Sequence, residues 1–521
     1  MNSPTLNGEQ MMGKPSLTAS TLYMKKLCFG EKNHFLLPTG AAGKRYINET
    51  TRLIHSFIDS SPLKEGAMKA IMIMPSLLLQ KPSRSSKSKD HNAALKRRMD
   101  LWENGDINEL MIEGETIQQN LKSFNGKKTI EETSKRFIEK MSKGNINGAI
   151  KLLTNKMENG ILPLNEQTLQ MLKQKHPESK DAPTDILFDD EVPVVHFIRY
   201  EEINAELIKK VDLKTRGGVG PSGLDGDGWK RLLTSKSFEK ESSDLCSAIA
   251  TLARLLCTNV QTPTSLNALL ASRLIPLNKN LGLRPIGVGD VLRRIIGKSV
   301  ASILKSDVKQ AVGSLQVCAG QDGGCEAAVH AIHRIFDQNE SEAVLLIDAS
   351  NAFNSVNRNV FLHNVKVICP SISKFVENCY QAPSRLFVVG GVELSSAEGT
   401  TQGDPIAMMI YAITIIPLIL RTVEVLSVNS NTKNTKAAGY ADDFFGVGTI
   451  KGLRQMWTFI ESEGPKYGYY QEATKSWLIV KEEILEEARR IFADTNVQIT
   501  SEGQKHLGAV IGSEEYKIVI Y

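Results

Sequence analysis

Two adjacent acids, Asp442 and Asp443, sit between the short apolar runs Ala437-Ala438-Gly439-Tyr440 and Phe444-Phe445-Gly446-Val447. This pattern predicts a tight β-hairpin with carboxylates at its tip. Burying one carboxylate is costly, and two like charges side by side cost more. A solvent-exposed acidic turn would escape that cost; a pair of divalent cations would offset it. A third acid, Asp348, ends the continuous apolar run Val344-Leu345-Leu346-Ile347, the pattern of a strand buried on both faces. Taken alone, Asp348 is a helix cap for the turn that follows, or a ligand. Taken together, Asp348, Asp442 and Asp443 can converge on one surface. Two-metal phosphoryl transfer needs such a set, holding two Mg²⁺ about 3.5–4 Å apart. Mg²⁺ prefers hard oxygen ligands, and Mn²⁺ is the expected substitute.

The elements that must position these acids are also legible. Arg273 to Lys279 and Leu283 to Val288 read as two strands of a hairpin that carries Lys279 and Arg284, suited to neutralising a triphosphate. Glu398 to Pro405 is a polar loop in which Asp404 suits a helix cap and Pro405 the first helical position. The helix expected after it, Ile406 to Ile416, is apolar nearly all round and should be buried. Asp290 is a candidate cap for the next helical pattern, Val291 to Leu304, with Arg293, Arg294, Lys298 and Lys305 off its apolar stripe. A solvated basic face is the plain reading there, and contact with a nucleic-acid backbone the functional one. The Gly-rich stretch Gly217 to Asp225 lacks the Lys and Ser/Thr of a phosphate-binding loop, so it reads as a turn that another segment approaches closely.

Further upstream, residues 1 to about 45 read as a flexible lead-in, and residues 46 to 172 as helical. The stretch Lys81 to Lys89 is a basic, Ser-rich loop that could touch phosphates or be a solvated linker. The polar segment Lys173 to Asp185, with two prolines and many charges, is the best linker candidate in the chain. Beyond it the pattern changes to a mixed α/β body.

In order, Asp348-x3-Ala352-Phe353, Gln402-Gly403-Asp404-Pro405 and Tyr440-Ala441-Asp442-Asp443 resemble the palm motifs of reverse transcriptases. Leu283-Arg284-Pro285-Ile286 is similar to the fingers motif of that family, Thr474-Lys475-Ser476 to its lysine segment, and His506-Leu507-Gly508 to its primer grip. Each motif is weak alone; six in order are not. Gly148 to Leu153, Gly160 to Leu164 and Lys175-His176-Pro177 resemble the helical extension upstream of the retroelement type without long terminal repeats.

The resemblance implies an α+β protein: a lead-in (1–45), a helical N-terminal extension (46–172), a linker (173–200), the fingers (201–340) and the palm through primer grip (341–521) of a right-hand polymerase. It implies an RNA-directed DNA polymerase of a retrotransposon, with an RNA template, a DNA or RNA primer and dNTPs as partners. On this view Asp348, Asp442 and Asp443 bind the catalytic metals. Lys279 and Arg284 hold the nucleotide's phosphates, Gln402 and Gly403 contact the nucleotide, and Phe353 lies beneath its sugar. Lys475 protonates the leaving pyrophosphate or is a surface lysine. Leu507 and Gly508 belong to the primer grip. The sequence ends thirteen residues past Gly508, which gives the expectation that the helical thumb is missing.

Two rivals share these motifs. An RNA-dependent RNA polymerase usually carries Gly-Asp-Asp in the hairpin and a second Asp where this chain has Phe353. A non-catalytic or decayed RNA-binding palm is the other rival, against which the intact carboxylates argue. Composition is compatible with all three. The chain has 521 residues, 41% hydrophobic and 23% charged, with a formal net charge of +5. That is ordinary globular protein with a mild basic excess, which permits a polyanionic partner without demanding one. The seven cysteines form no CxxC pair, so free thiols in a reducing compartment are expected. The spacing of Cys318, Cys325, His330 and His333 fits no common zinc pattern. The longest apolar run, Ile406 to Leu420, falls short of the ~20 residues that span a bilayer. The expectation is a soluble intracellular protein, cytoplasmic or nuclear, with no membrane partner.

Overall fold

The computed structural model describes residues 33–59, 64–123, 130–142, 160–279, 282–388, 390–428 and 432–520, and residues 144, 146, 149 and 150 between them. Most of the expected lead-in, Cys28 and most of the segment 148–153 lie outside the described residues.

The fold is mixed α+β. Helix Ala41–Ile58 buries Tyr46, Ile47, Thr50, Leu53, Ile54 and Phe57, a stripe at helical spacing. It starts at Ala41 rather than near residue 46, and Phe35 and Leu37 are already buried ahead of it, so this end of the expected lead-in belongs to the core. Helix Lys64–Leu78, apolar nearly all round, packs between Ala41–Ile58 and helix Pro263–Leu270. The loop that follows is closed on itself: Ser86 Oγ bonds Ser83 O at 2.7 Å and lies 3.0 Å from His91 Nε2.

Among the described residues eleven strands form three sheets. In chain order they are β1 (Ser272–Lys279), β2 (Gly282–Gly289), β3 (Ala343–Ile347), β4 (Ser384–Val388), β5 (Val392–Ser396), β6 (Lys436–Tyr440), β7 (Asp443–Gly448), β8 (Trp477–Val480), β9 (Gln498–Thr500), β10 (Gly503–His506) and β11 (Ala509–Gly512). The first sheet has the order β2-β1-β4-β5, the second β6-β7-β3-β8-β9, and β10 pairs with β11 alone. The expected β1–β2 hairpin is present, in antiparallel register from Ser272↔Gly289 to Lys279↔Gly282.

β3 lies in the middle of the five-stranded sheet, antiparallel to β7 on one side and β8 on the other. Ala343, Leu345 and Ile347 join the main core, and Val344 and Leu346 join a second core with Ile332, Phe445 and Ile479. Both faces of the strand are covered, which is why its sequence is apolar without alternation.

Helix Ala407–Val428 extends well beyond the expected Ile416 and is buried without a break from Ile410 to Ile419. By length and composition it could cross a membrane, which corrects the expectation drawn from the apolar run. Here it packs against helices Arg358–Ile368 and Ile450–Tyr467 as a core helix.

Two further expectations are corrected. Arg293 and Arg294 do not form a solvated face: both are under a tenth exposed. Arg293 is ion-paired with Asp404, and Arg294 donates to the carbonyls of Arg216 (3.0 Å), just ahead of the Gly-rich stretch, and Gly218 (2.6 Å) within it. That stretch is indeed closely approached, since a Cβ on Gly220 would lie 2.4 Å from Asp290 Cα. The polar segment after Lys173, expected as a linker, is strapped to the body. Side-chain amides of Asn351 and Asn354 donate to Lys175 O, that of Asn359 to Lys180 O, that of Asn357 to Asp181 O and that of Asn364 to Ile186 O, all at 2.8–3.0 Å. Glu398 accepts from Lys180 N at 2.6 Å, and Lys466 bonds Asp185 at 2.6 Å. The segment is polar because it satisfies polar partners, not because it faces water alone.

Candidate active site

The end of β3 sets the site. Ile347 pairs with Phe444, so Asp348 emerges beside the start of β7, where Asp443 sits. Asp443 in turn pairs with Tyr440, leaving Ala441 and Asp442 as a two-residue turn. Ala441 takes φ +56°, left-handed backbone that a side chain disfavours. Gln316 holds it there. Fully buried, its Nε2 donates to Ala441 O (3.1 Å) and its Oε1 accepts from Ala441 N (2.9 Å). Backbone bonds on either side, Gly439 N to Leu315 O and Val317 N to Gly439 O, fix Gln316 against β6. The hydroxyl of buried Tyr469 donates to Asp442 O at 3.2 Å. The backbone of Asp348 is fixed as well: its N–H donates to Ser476 Oγ at 3.1 Å and its carbonyl accepts from Glu472 N at 2.8 Å. Asp348 is not a cap, because Asn351 occupies the N-cap of the short helix Ala352–Ser355.

Burial raises all three carboxyl groups above their ordinary range. Asp443 is pushed up to about 7, by burial first and then by the charges of Asp442 and Asp348. Asp348 is raised by burial; Lys475 and Lys279 oppose the shift, while Asp442 and Glu472 add to it. Asp442 is raised by burial against Lys279 and Arg284. The three acids therefore share one field, with the β1–β2 hairpin and Lys475 supplying nearby positive charge. Carboxylates are the hard oxygen donors that a divalent cation prefers, although among the described residues no group of three or more His, Cys, Asp or Glu side chains is arranged to hold an ion.

The loop 398–405 docks between the hairpin and the turn after Asp348. Gln402 O accepts from Gly287 N at 2.8 Å. Gly403 has φ +109°, and a Cβ there would lie 2.5 Å from Gly287 O. At its other end Thr400 donates through N (2.6 Å) and Oγ1 (3.2 Å) to Phe353 O. The buried Arg358 guanidinium holds the carbonyls of Ser396, Glu398 and Gly399. Asp404 accepts from Ile406 N at 3.1 Å, from the Tyr380 hydroxyl at 3.0 Å and from Arg293. It thus caps a turn containing Pro405, and the regular helix begins at Ala407 instead of Ile406.

Phe353 is half-buried, its ring 4.8 Å from that of Tyr411. Lys475 is 63% exposed and 3.9 Å from Glu472. Leu507 and Gly508 form the β10–β11 turn, both with positive φ, and Leu507 packs on the sheet face that carries Val344 and Leu346. The expected metal residues Asp348, Asp442 and Asp443 and the expected phosphate residues Lys279 and Arg284 fall in one electrostatic neighbourhood. Sequence reasoning missed Gln316, Tyr469 and the asparagine ladder. Five asparagines between 351 and 364 were a signal for the ladder. Gln316 gave none, since its partner is 125 residues away.

No curated protein matched the chain. Residues 277–509 match the family model described as reverse transcriptase (RNA-dependent DNA polymerase). The matched span opens in β1 ahead of Lys279 and closes after Gly508, so it contains every expected site residue. The match identifies this span, somewhat less than half of the chain, as a reverse transcriptase domain.

Proposed function

We propose that the chain is an active RNA-directed DNA polymerase of a retrotransposon of the type without long terminal repeats. It extends a DNA or RNA primer on an RNA template from dNTPs. The observation that carries this reading is the match of residues 277–509 to the reverse transcriptase family, supported by the mutual influence of Asp348, Asp442 and Asp443 and the charge of Lys279 acting on all three.

In the reaction the primer 3′ hydroxyl gives its proton to water, its oxygen bonds to the α-phosphorus, the bond from the α-phosphorus to the oxygen bridging to the β-phosphate breaks, and pyrophosphate leaves. Asp348, Asp442 and Asp443 would hold two Mg²⁺, which supply Lewis-acid stabilisation of the attacking and leaving oxygens. Lys279 and Arg284 draw in and neutralise the triphosphate. Gln402 and Gly403 border the nucleotide, and the docking of their loop on Gly287 fixes that border against the hairpin. Phe353 meets the sugar. Lys475, exposed and in the field of Asp348, gives a proton to the departing pyrophosphate. Leu507 and Gly508 support the primer. Positioning and charge neutralisation are nearly all that phosphoryl transfer asks of a protein.

The test is extension of a primed RNA by the purified chain with dNTPs and Mg²⁺ or Mn²⁺. Asp442→Asn should abolish nearly all extension while sparing fold and RNA binding. A variant that extends at near wild-type rate would sink the metal assignment, and no extension by the wild type in either metal would favour a non-catalytic RNA-binding module.

A further inference from the structure

The strap over residues 175–188 lies outside the family-matched span, yet its first rung reaches the site. Lys175 O accepts from Asn351 Nδ2 (3.0 Å) and Asn354 Nδ2 (2.9 Å). Those asparagines flank Phe353 in the turn that leaves Asp348. Two side-chain amides on one carbonyl fix where the Lys175 side chain starts. The chain leading into it is anchored too, since helix Glu166–Gln174 packs on β2. The Lys175 side chain is half-buried, and among the described residues its amine takes no hydrogen bond or ion pair.

Its electrostatic neighbours are Lys475, Lys279 and Glu472. Lys475 and Lys279 are also the cations that act on Asp348. Burial first, then these two lysines, lowers the Lys175 amine below its ordinary range. Three amines from three separate elements, the strap, β1 and the turn before β8, thus act on one another, with Glu472 as the acid among them, and the bonds to Lys175 O tie the first of these elements to the turn after Asp348. Such surplus positive charge is stabilised by an anion, and phosphate oxygens are the anions that a site of this kind handles.

We propose that Lys175 is a phosphate ligand, completing with Lys279 and Lys475 a three-lysine site beside Asp348 for the phosphates of the incoming nucleotide or of the primer–template backbone. The inference rests on the polymerase reading, and it gives the segment upstream of the matched span a part in substrate binding. The strap is held through the backbone carbonyl of Lys175, so replacing its side chain leaves both amide bonds in place.

The experiment compares the full chain with Lys175→Ala, Lys175→Gln and Lys175→Arg. Primer–template affinity is measured across a salt series without nucleotide. Binding of dNTP to the complex is titrated with Ca²⁺ in place of Mg²⁺, and KM and kcat are measured separately. If the nucleotide is the ligand, the neutral variants weaken dNTP binding and raise KM about tenfold with kcat unchanged, the loss of one charge-assisted hydrogen bond, and Lys175→Arg restores both. If the nucleic-acid backbone is the ligand, the neutral variants reduce the slope of log affinity against log salt by about one instead, and dNTP binding is unchanged. Neutral variants that match the wild type in both, that lose kcat alone, or that Lys175→Arg does not rescue overturn the proposal. Failure of the wild type to extend a primer overturns the polymerase reading, while the salt series and the dNTP titration still decide Lys175.

Discussion

The ring of Phe353 lies 4.8 Å from Tyr411 and is tilted 35° to it, and the Phe353 carbonyl is gripped twice by Thr400. The ring is thus backed by a fully buried aromatic on helix Ala407–Val428, and its backbone is tied to the loop that carries Gln402. A flat ring held in this way resists displacement, which a steric filter requires. We expect Phe353→Val to raise ribonucleotide use relative to deoxyribonucleotide use by roughly 10–100-fold, with dNTP use falling only modestly. Equal loss of both substrates, measured by single-nucleotide incorporation, would mark the ring as ordinary core. Asp348, Asp442 and Asp443 were legible because each is carried by a short local pattern: a buried run ending in an acid, or two acids between β-prone runs; Phe353 was reached only through the family resemblance. Arg293 was not. On a helical wheel it falls off the apolar stripe, and only the tertiary fold brings Asp404 and Tyr380 to it. A buried ion pair between distant residues has no periodicity to read.

At the scale of elements, the β6–β7 hairpin shows how a strained turn is kept. Ala441 holds a left-handed conformation that glycine would adopt more easily, and Gln316 satisfies both of its backbone groups from a segment over a hundred residues away. Gln316→Leu leaves a buried N–H and C=O unpaired, a cost of about 2–4 kcal/mol in stability. It should lower the midpoint of thermal unfolding and slow extension, with primer–template affinity kept. Adding Ala441→Gly should return about 1 kcal/mol by relieving the backbone. A Gln316→Leu protein that melts and extends like wild type would show that the turn stands without its clamp. The hairpin itself was legible, as were β3 and the β1–β2 pair, because a period of two or a short apolar run bounded by turn residues survives in the sequence. The strap was not. Prolines and charges mark a linker by composition, yet asparagine amides can bind a backbone that has no regular structure. Such docking is specified by the receiving surface, Asn351 to Asn364, and not by the segment that docks.

Across the whole molecule the main core runs from Phe35 to Val497 without a break at the start of the family-matched span. Helix Ala41–Ile58 packs along helix Glu239–Thr258, and Gly43 sits so close to Phe238 that a Cβ would fall 2.9 Å from the ring. Polar ties join the residues before position 200 to those after it: Ser76 Oγ donates to Ser222 O at 2.8 Å, Arg231 Nε to Leu37 O at 3.1 Å, and Lys44 pairs with Glu241 at 3.0 Å. Removing residues 1–200 would uncover Phe238 and the apolar surface that helices Ala41–Ile58 and Lys64–Leu78 cover, and would take the strap away from the asparagine ladder that holds it. Each large apolar side chain so exposed costs about 1.5–3 kcal/mol. A handful of them equals the whole stability of an ordinary domain, roughly 5–15 kcal/mol. The fragment 201–521 contains every residue of the candidate site, yet it should not fold alone. We expect it to bind a hydrophobic dye and to melt without a cooperative transition, whereas the full chain melts cooperatively with little dye bound. Added polar substitutions on the uncovered face of Glu239–Thr258 should improve its solubility without restoring extension, because Asn351 and Asn354 would still lack Lys175. A fragment that melts cooperatively and extends a primer at the rate of the full chain would show that the upstream helices and the strap are dispensable, and that the continuity of the core has no bearing on activity.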